Sequence, residues 1–156
     1  SKYGIPAKES LLEMYQVEKD WAKAIISSNE LEVLQGKSRQ KEIAHFNCEL
    51  AEEALRRKDI ATTERHIDLA MQSVPNHPRA TILRGDCFVA QNQLEKAIER
   101  FKKLVSLQPQ NPRWLFEMSD VFGGMGDSVN AKVYLDLAVK TQKTPWLLIW
   151  FGLPAY

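Results

Sequence analysis

Prolines and small residues recur at a fixed interval along this chain, and that interval limits the fold more than any other feature. Pro75 and Pro109 are 34 residues apart, as are Pro78 and Pro112. A ladder of compact side chains, Ala24, Thr63, Ala97 and Ala131, climbs in steps of 39, 34 and 34. Self-similarity at a period of about 20–50 residues marks stacked units that bury one another's faces rather than one central core.

The residues between the markers say what each unit is. Leu94, Ala97, Ile98, Phe101, Leu104 and Val105 are spaced by 3, 1, 3, 3 and 1, which is helical and not strand-like. Before them lies a first helix in which Gly85 offers no side chain, so a second helix can approach; Phe88, one turn on, points into the same interface. Asn92-Gln93 reads as the turn between the two helices, and Pro109 ends the pair. The next unit opens on Asn111-Pro112, a cap plus first-turn proline, buries Leu115, Met118 and Phe122, turns at Gly126-Asp127 and continues through Ala131, Leu135 and Ala138. The preceding unit uses Leu50, Ala51 and Ala54, then Asp59-Ile60, then Ile67 and Ala70, and stops at Pro75. The first uses Leu11, Leu12, Tyr15, Trp21, Ala24 and Ile25. It runs into Gln35-Gly36-Lys37-Ser38, expected to be a loop about five residues longer than the others, which would account for the step of 39.

A 34-residue period of helix pairs is the tetratricopeptide signature. The expected fold is all-α: a right-handed superhelix of antiparallel helix pairs, an α-solenoid. The chain, 1–156, reads as a single domain with repeats at about 5–38, 44–77, 78–111 and 112–144, followed by a truncated capping helix at 145–156. A four-helix bundle would require neither a small residue at a fixed point of every second helix nor a proline after each pair. Arg84 stands where such repeats carry a large apolar residue. Its stem packs while its head reaches water, or it pairs with a carboxylate, or its helix is rotated; these readings stay open.

Composition excludes several function classes. The formal net charge is +1, too small for a global field that holds nucleic acid or an anionic membrane. Cys48 and Cys87, without a CxxC or a histidine cluster, cannot build a structural zinc site, and two buried thiols are the expectation. His45 lies near Cys48 and Glu49 on one helical turn, so a weak metal site competes there with a plain surface histidine. No base oriented by a third group in a closed pocket is visible, so no catalytic residue, metal ligand or cofactor is assigned and the chain is expected not to be an enzyme. Gly123-Gly124-Met125-Gly126 reads as the turn between two helices and not as a nucleotide loop. No signal peptide or membrane span is evident, and the start at Ser1 without Met reads as a soluble piece of a larger protein.

Two stretches go beyond the generic repeat. Leu11-Leu12-Glu13-Met14-Tyr15-Gln16 followed by Trp21, Lys23, Ala24 and Ile25, and Glu42-Ile43-Ala44-His45-Phe46-Asn47-Cys48-Glu49-Leu50-Ala51, resemble segments of the lipopolysaccharide assembly protein B family of Gram-negative bacteria. That resemblance implies an adaptor in the regulation of lipopolysaccharide synthesis that links the lipid A pathway deacetylase to a membrane AAA protease. It implies a place at the cytoplasmic face of the inner membrane. The family's membrane anchor and CxxC-bearing metal domain have no counterpart in these residues, so only the repeat array carries over. Two other readings stand beside it: the repeat portion of a glycosyltransferase-type protein, and a generic bacterial assembly scaffold.

In arrays of this type the first helix of each pair lines a partner-binding face. Glu9, Glu13 and Gln16 project there from the first unit. His45, Cys48, Glu49, Glu52 and Arg56 follow from the second, and Arg79, Ile82, Asp86 and Val89 from the third. The fourth contributes Arg113, Phe116, Glu117 and Asp120. From Glu49 onward these are the candidate groove, acidic with apolar patches, suited to a protein segment with basic and aliphatic side chains. A solvated charged face without a partner is the bland alternative. The apolar run from Trp146 to Phe151 suggests either a homodimer contact or a simple cap folded back on the fourth repeat.

Overall fold

The computed structural model describes residues 4–151, with side chains placed through residue 142. Eight helices follow one another: α1 (Gly4–Val17), α2 (Trp21–Gln35), α3 (Gln40–Arg56), α4 (Ile60–Ser73), α5 (Pro78–Ala90), α6 (Leu94–Leu107), α7 (Arg113–Gly124) and α8 (Ser128–Phe151). There is no strand among the described residues. The chain divides after Leu83 into two compact units, so α5 begins in the first and ends in the second.

One turn recurs within every helix pair. Lys19, Lys58, Asn92 and Gly126 all take positive φ, at 59°, 61°, 59° and 80°, and repeat the 39, 34 and 34 spacing of the small-residue ladder. The next residue in each case sends its N–H back five positions: Asp20 to Tyr15 O (2.8 Å), Asp59 to Ala54 O (2.9 Å), Gln93 to Phe88 O (2.7 Å) and Asp127 to Phe122 O (2.9 Å). This is the Schellman closure, which satisfies carbonyls stranded at a helix end. The same residue then caps the following helix. Asp20, Asp59 and Asp127 accept from the N–H three residues on, at 3.2, 3.1 and 3.1 Å. Gln93 makes no such bond.

In the first unit the core is built on Leu12, Trp21, Ala24, Leu31 and Phe46, with Trp21 stacked on Phe46 at 5.7 Å. Leu11, expected inside, is 43% exposed because its neighbour Leu12 takes the inward position. Thr63, the one rung of the ladder that is not alanine, is wholly buried, and its hydroxyl donates to Asp59 O at 2.7 Å. A buried hydroxyl with an internal acceptor costs little, which lets threonine stand on an alanine rung.

The five extra residues of the first interval do not form a longer loop. Residues 36–39 match the four of 74–77, and the surplus lies in α2, with 15 residues against 14 in α4, and in α3, with 17 against 13 in α5. Gly36 at φ 62° stops α2 at once. Glu32 then anchors the start of α3 by accepting Arg39 N–H at 2.6 Å and the Gln40 side chain at 3.0 Å. Those bonds, the backbone one first, hold the Glu32 carboxyl below the usual carboxylate range.

In the second unit the expected close approach is present. A methyl placed on Gly85 would lie 2.7 Å from Phe101 Cζ, with Phe101 itself buried in α6. Phe88 is half-buried, with Lys96 and Arg100 at 5.8 and 6.0 Å from its ring. Helix α7 meets α8 through Phe122 stacked on Tyr134 at 5.3 Å and through Ser119 Oγ donating to Ala131 O at 2.7 Å. The backbone of α8 runs unbroken through Thr144-Pro145 to Phe151, where the sequence suggested a new helix. The side chains of the apolar tail lie outside the described residues.

Two outcomes test these assignments. Gly85→Leu forces Phe101 to move and is expected to cost about 1–3 kcal/mol in urea unfolding, while Gly123→Ala, with open space around it, leaves stability unchanged or raises it. Lys58→Gly relieves a left-handed lysine and is expected to raise stability by about 1 kcal/mol, read as a shift in unfolding midpoint.

Candidate functional site

Helix α3 carries two opposed faces, because 100° per residue puts positions 45, 49 and 52 about half a turn from 43, 47 and 50. On the first face Arg79, from the opening turn of α5, reaches across to two carboxylates. Its Nη1 donates to Glu49 Oε1 at 2.8 Å, and its Nη2 pairs with Glu52. Arg56 lies 3.5 Å from the same Glu52, and His45 Nε2 lies 3.7 Å from Glu49. Burial alone would raise the Glu49 pKa, but the hydrogen bond and charge of Arg79 outweigh it and hold the carboxyl below its ordinary value. The expected acidic groove is therefore internally neutralised in the first unit. Sequence projection could not show this, since residues 49 and 79 are thirty positions apart.

Two residues expected on this face are inside instead. Cys48 has no exposure, and Ile82 is 5% exposed. The buried column of α3 includes Ala44, Cys48 and Ala51, and α5 buries Ala80 through Leu83 in succession, so a helix covered on most sides defeats a one-face projection. The histidine near the Cys48 thiol is His77, not His45, at 3.8 Å from Nδ1. His77 Nδ1 also accepts Ala80 N–H at 3.3 Å and so caps α5 in front of Pro78. Burial, then the charges of Arg79 and His45, lowers the His77 pKa, in keeping with a ring nitrogen that accepts. Burial pushes the Cys48 thiol up to about 11, which keeps it protonated and unreactive at neutral pH. Among the described residues no group of three His, Cys, Asp or Glu is placed to hold a metal ion.

In the second unit Val89 is 40% exposed, and Asp86 is half-buried, as is Arg84. On α7, Arg113 and Asp120 are exposed, and Phe116 and Glu117 are half-buried. Burial raises the Glu117 pKa; Arg113 opposes that and Asp120, one turn on, adds to it. Arg113 also lies 5.6 Å from the ring of Trp114. Helix α7 thus carries the half-buried Phe116 and two carboxylates that repel each other. A cationic side chain placed there would relieve that repulsion.

Residues 54–115 match the tetratricopeptide repeat family model. Lipopolysaccharide assembly protein B from three Escherichia coli strains, K12 among them, is 33% identical over 105 residues, which is 67% of this chain and 27% of those proteins. The matched stretch is therefore about a quarter of the relatives' length. Among solved structures, two crystal structures of MamA superpose with TM-scores of 0.63 and 0.64 at 18% identity, covering 94% and 88% of this chain and 76% and 77% of theirs. At that identity they show the fold alone.

The clamp generates a pH expectation. Arg79→Met is expected to cost about 1–2 kcal/mol at pH 7, discounted for the solvent-facing side of the cluster. A depressed Glu49 pKa contributes stability above its unfolded value that is lost as pH falls through the folded one. The gap between wild type and variant in urea unfolding should accordingly close between pH 7 and pH 3, and a constant gap would show that the pair contributes nothing. The repeated capped turns, the small-residue ladder and these likenesses together identify the chain as a tetratricopeptide-repeat array resembling part of lipopolysaccharide assembly protein B.

Proposed function

We propose that this array is a non-catalytic adaptor that binds protein partners in the regulation of lipopolysaccharide synthesis. The observation that carries the reading is the 33% identity to lipopolysaccharide assembly protein B across a stretch made of capped helix pairs. Helix pairs of this kind offer extended side-chain surfaces and no closed pocket for chemistry. The finer reading is that the array brings the lipid A pathway deacetylase to a membrane AAA protease at the cytoplasmic face of the inner membrane. No helix among the described residues is long and apolar enough to cross a membrane, so attachment would come through other parts of a longer protein or through the partner.

The pairing of the carboxylates supports one helix as the place where a basic partner segment would be read. In the first unit Glu49 and Glu52 already hold Arg79, whereas Glu117 and Asp120 on α7 stand together with Phe116 beside them. We assign the cation-reading role to α7, with Arg113 at its start setting the register. Glu49, Glu52 and Arg56 then shape a neutral face within the first unit.

Titration calorimetry with the cytoplasmic protease domain and, separately, the deacetylase tests this. Glu117→Gln combined with Asp120→Asn is expected to weaken binding about tenfold or more and to flatten its salt dependence. Binding that ignores the double variant would remove α7 as the contact, and absence of binding to both proteins would remove the adaptor assignment.

A further inference from the structure

Helix α5 starts on a histidine where α2, α4 and α8 start on a carboxylate. Asp20, Asp59 and Asp127 cap those three helices with an oxygen. Hydrogen bonds from Thr62 and Asn130 hold the Asp59 and Asp127 carboxyls below their usual range, so these caps persist well into acid. At α5 the same work falls to a ring nitrogen. His77 Nδ1 accepts Ala80 N–H at 3.3 Å, three residues on. Pro78 follows at the first helical position, where it has no N–H to satisfy. Thr81 then bonds back to His77 O through both its N–H and its hydroxyl, each at 3.0 Å.

The acceptor is used from two sides. Cys48 Sγ, on α3, lies 3.8 Å from the same Nδ1, and its thiol, pushed up to about 11 by burial, keeps the proton it would donate. A neutral ring that accepts at Nδ1 carries its hydrogen on Nε2. Nδ1 is then the ring position left for a second proton, and a proton there removes the acceptor from Ala80 and Cys48 together. The resulting cation would stand at a helix N-terminus, where positive charge is disfavoured. It would also face Arg79 on its own helix and His45 on α3, while Glu49 and Glu52 are already held by Arg79.

We propose that His77 is a proton-operated latch on α5: neutral, it closes the first turn against α3, and protonated at Nδ1 it releases Ala80 and Cys48 and opens that turn. Arg79 lies in the turn that opens, so the latch also governs the clamp on Glu49 and Glu52. The direction in pH follows from burial first, then Arg79 and His45, which hold the His77 value below the ordinary 6.5. The folded chain therefore binds fewer protons here than the unfolded chain. Stability from the latch is complete above the unfolded value and is lost as pH falls through the folded one. The Glu49 carboxyl, held below its ordinary 4.5, stays charged through that window, so its own loss comes further into acid.

Nitrogen-15 NMR of the full chain from pH 8 to pH 5 tests the latch. At pH 8 the His77 ring is expected as the Nε2–H tautomer. As the ring protonates, the Ala80 amide should titrate with the same midpoint and lose at least tenfold in exchange protection, corrected for the intrinsic pH dependence of exchange. His77→Asn supplies a cap oxygen that does not titrate, and there Ala80 should stay protected throughout. His45→Gln removes the neighbouring histidine and should leave the loss in place. None of these readouts involves a partner, so the result stands apart from the adaptor assignment. An Nδ1–H tautomer at pH 8, an Ala80 amide indifferent to the His77 titration, an equal loss in His77→Asn, or no loss in His45→Gln would overturn the proposal.

Discussion

Every helix pair in this chain depends on one closed turn. A residue at positive φ lets the following N–H reach back five positions to a carbonyl that the first helix would leave stranded. In three of the four turns that following residue is aspartate, and its carboxylate at once caps the next helix. The turn thus ends one helix and starts the next within three residues, which makes the pair antiparallel and sets its register. Lysine occupies the strained position twice, where glycine or asparagine would fit with less strain, so the geometry is imposed by the packing of the pair and not by the turn residue alone.

With the turns fixed, the approach of the two helices is governed by small groups. Ala24, Thr63 and Ala97 are fully buried, and Gly85 faces the ring of Phe101. Thr63 keeps its place because its own helix supplies an acceptor. The extra residues of the first interval are absorbed mostly as one more turn of α3. One face of that helix gathers Arg79 against Glu49 and Glu52.

The candidate surfaces were only half legible beforehand. Glu117, Phe116 and Asp120 could be placed on one helix from spacing alone, since they are local neighbours. The neutralisation of Glu49 and Glu52 could not, because Arg79 belongs to the next repeat. Cys48 and Ile82 were misplaced for a related reason. Helices packed on several sides bury more than the single stripe that periodicity marks.

The sequence by itself determined the helix pairs, their 34-residue period and the small residues at their contacts. All of these follow from local preferences repeated along the chain: caps, turns and a 3.6-residue stripe. Only the tertiary structure decided which carboxylates are already paired, which side of α3 is charged and which is neutral, and that α8 continues through Pro145. Those outcomes depend on groups from different helices meeting in space, and on the desolvation that follows when they do. Neither is encoded in the spacing of residues along one helix.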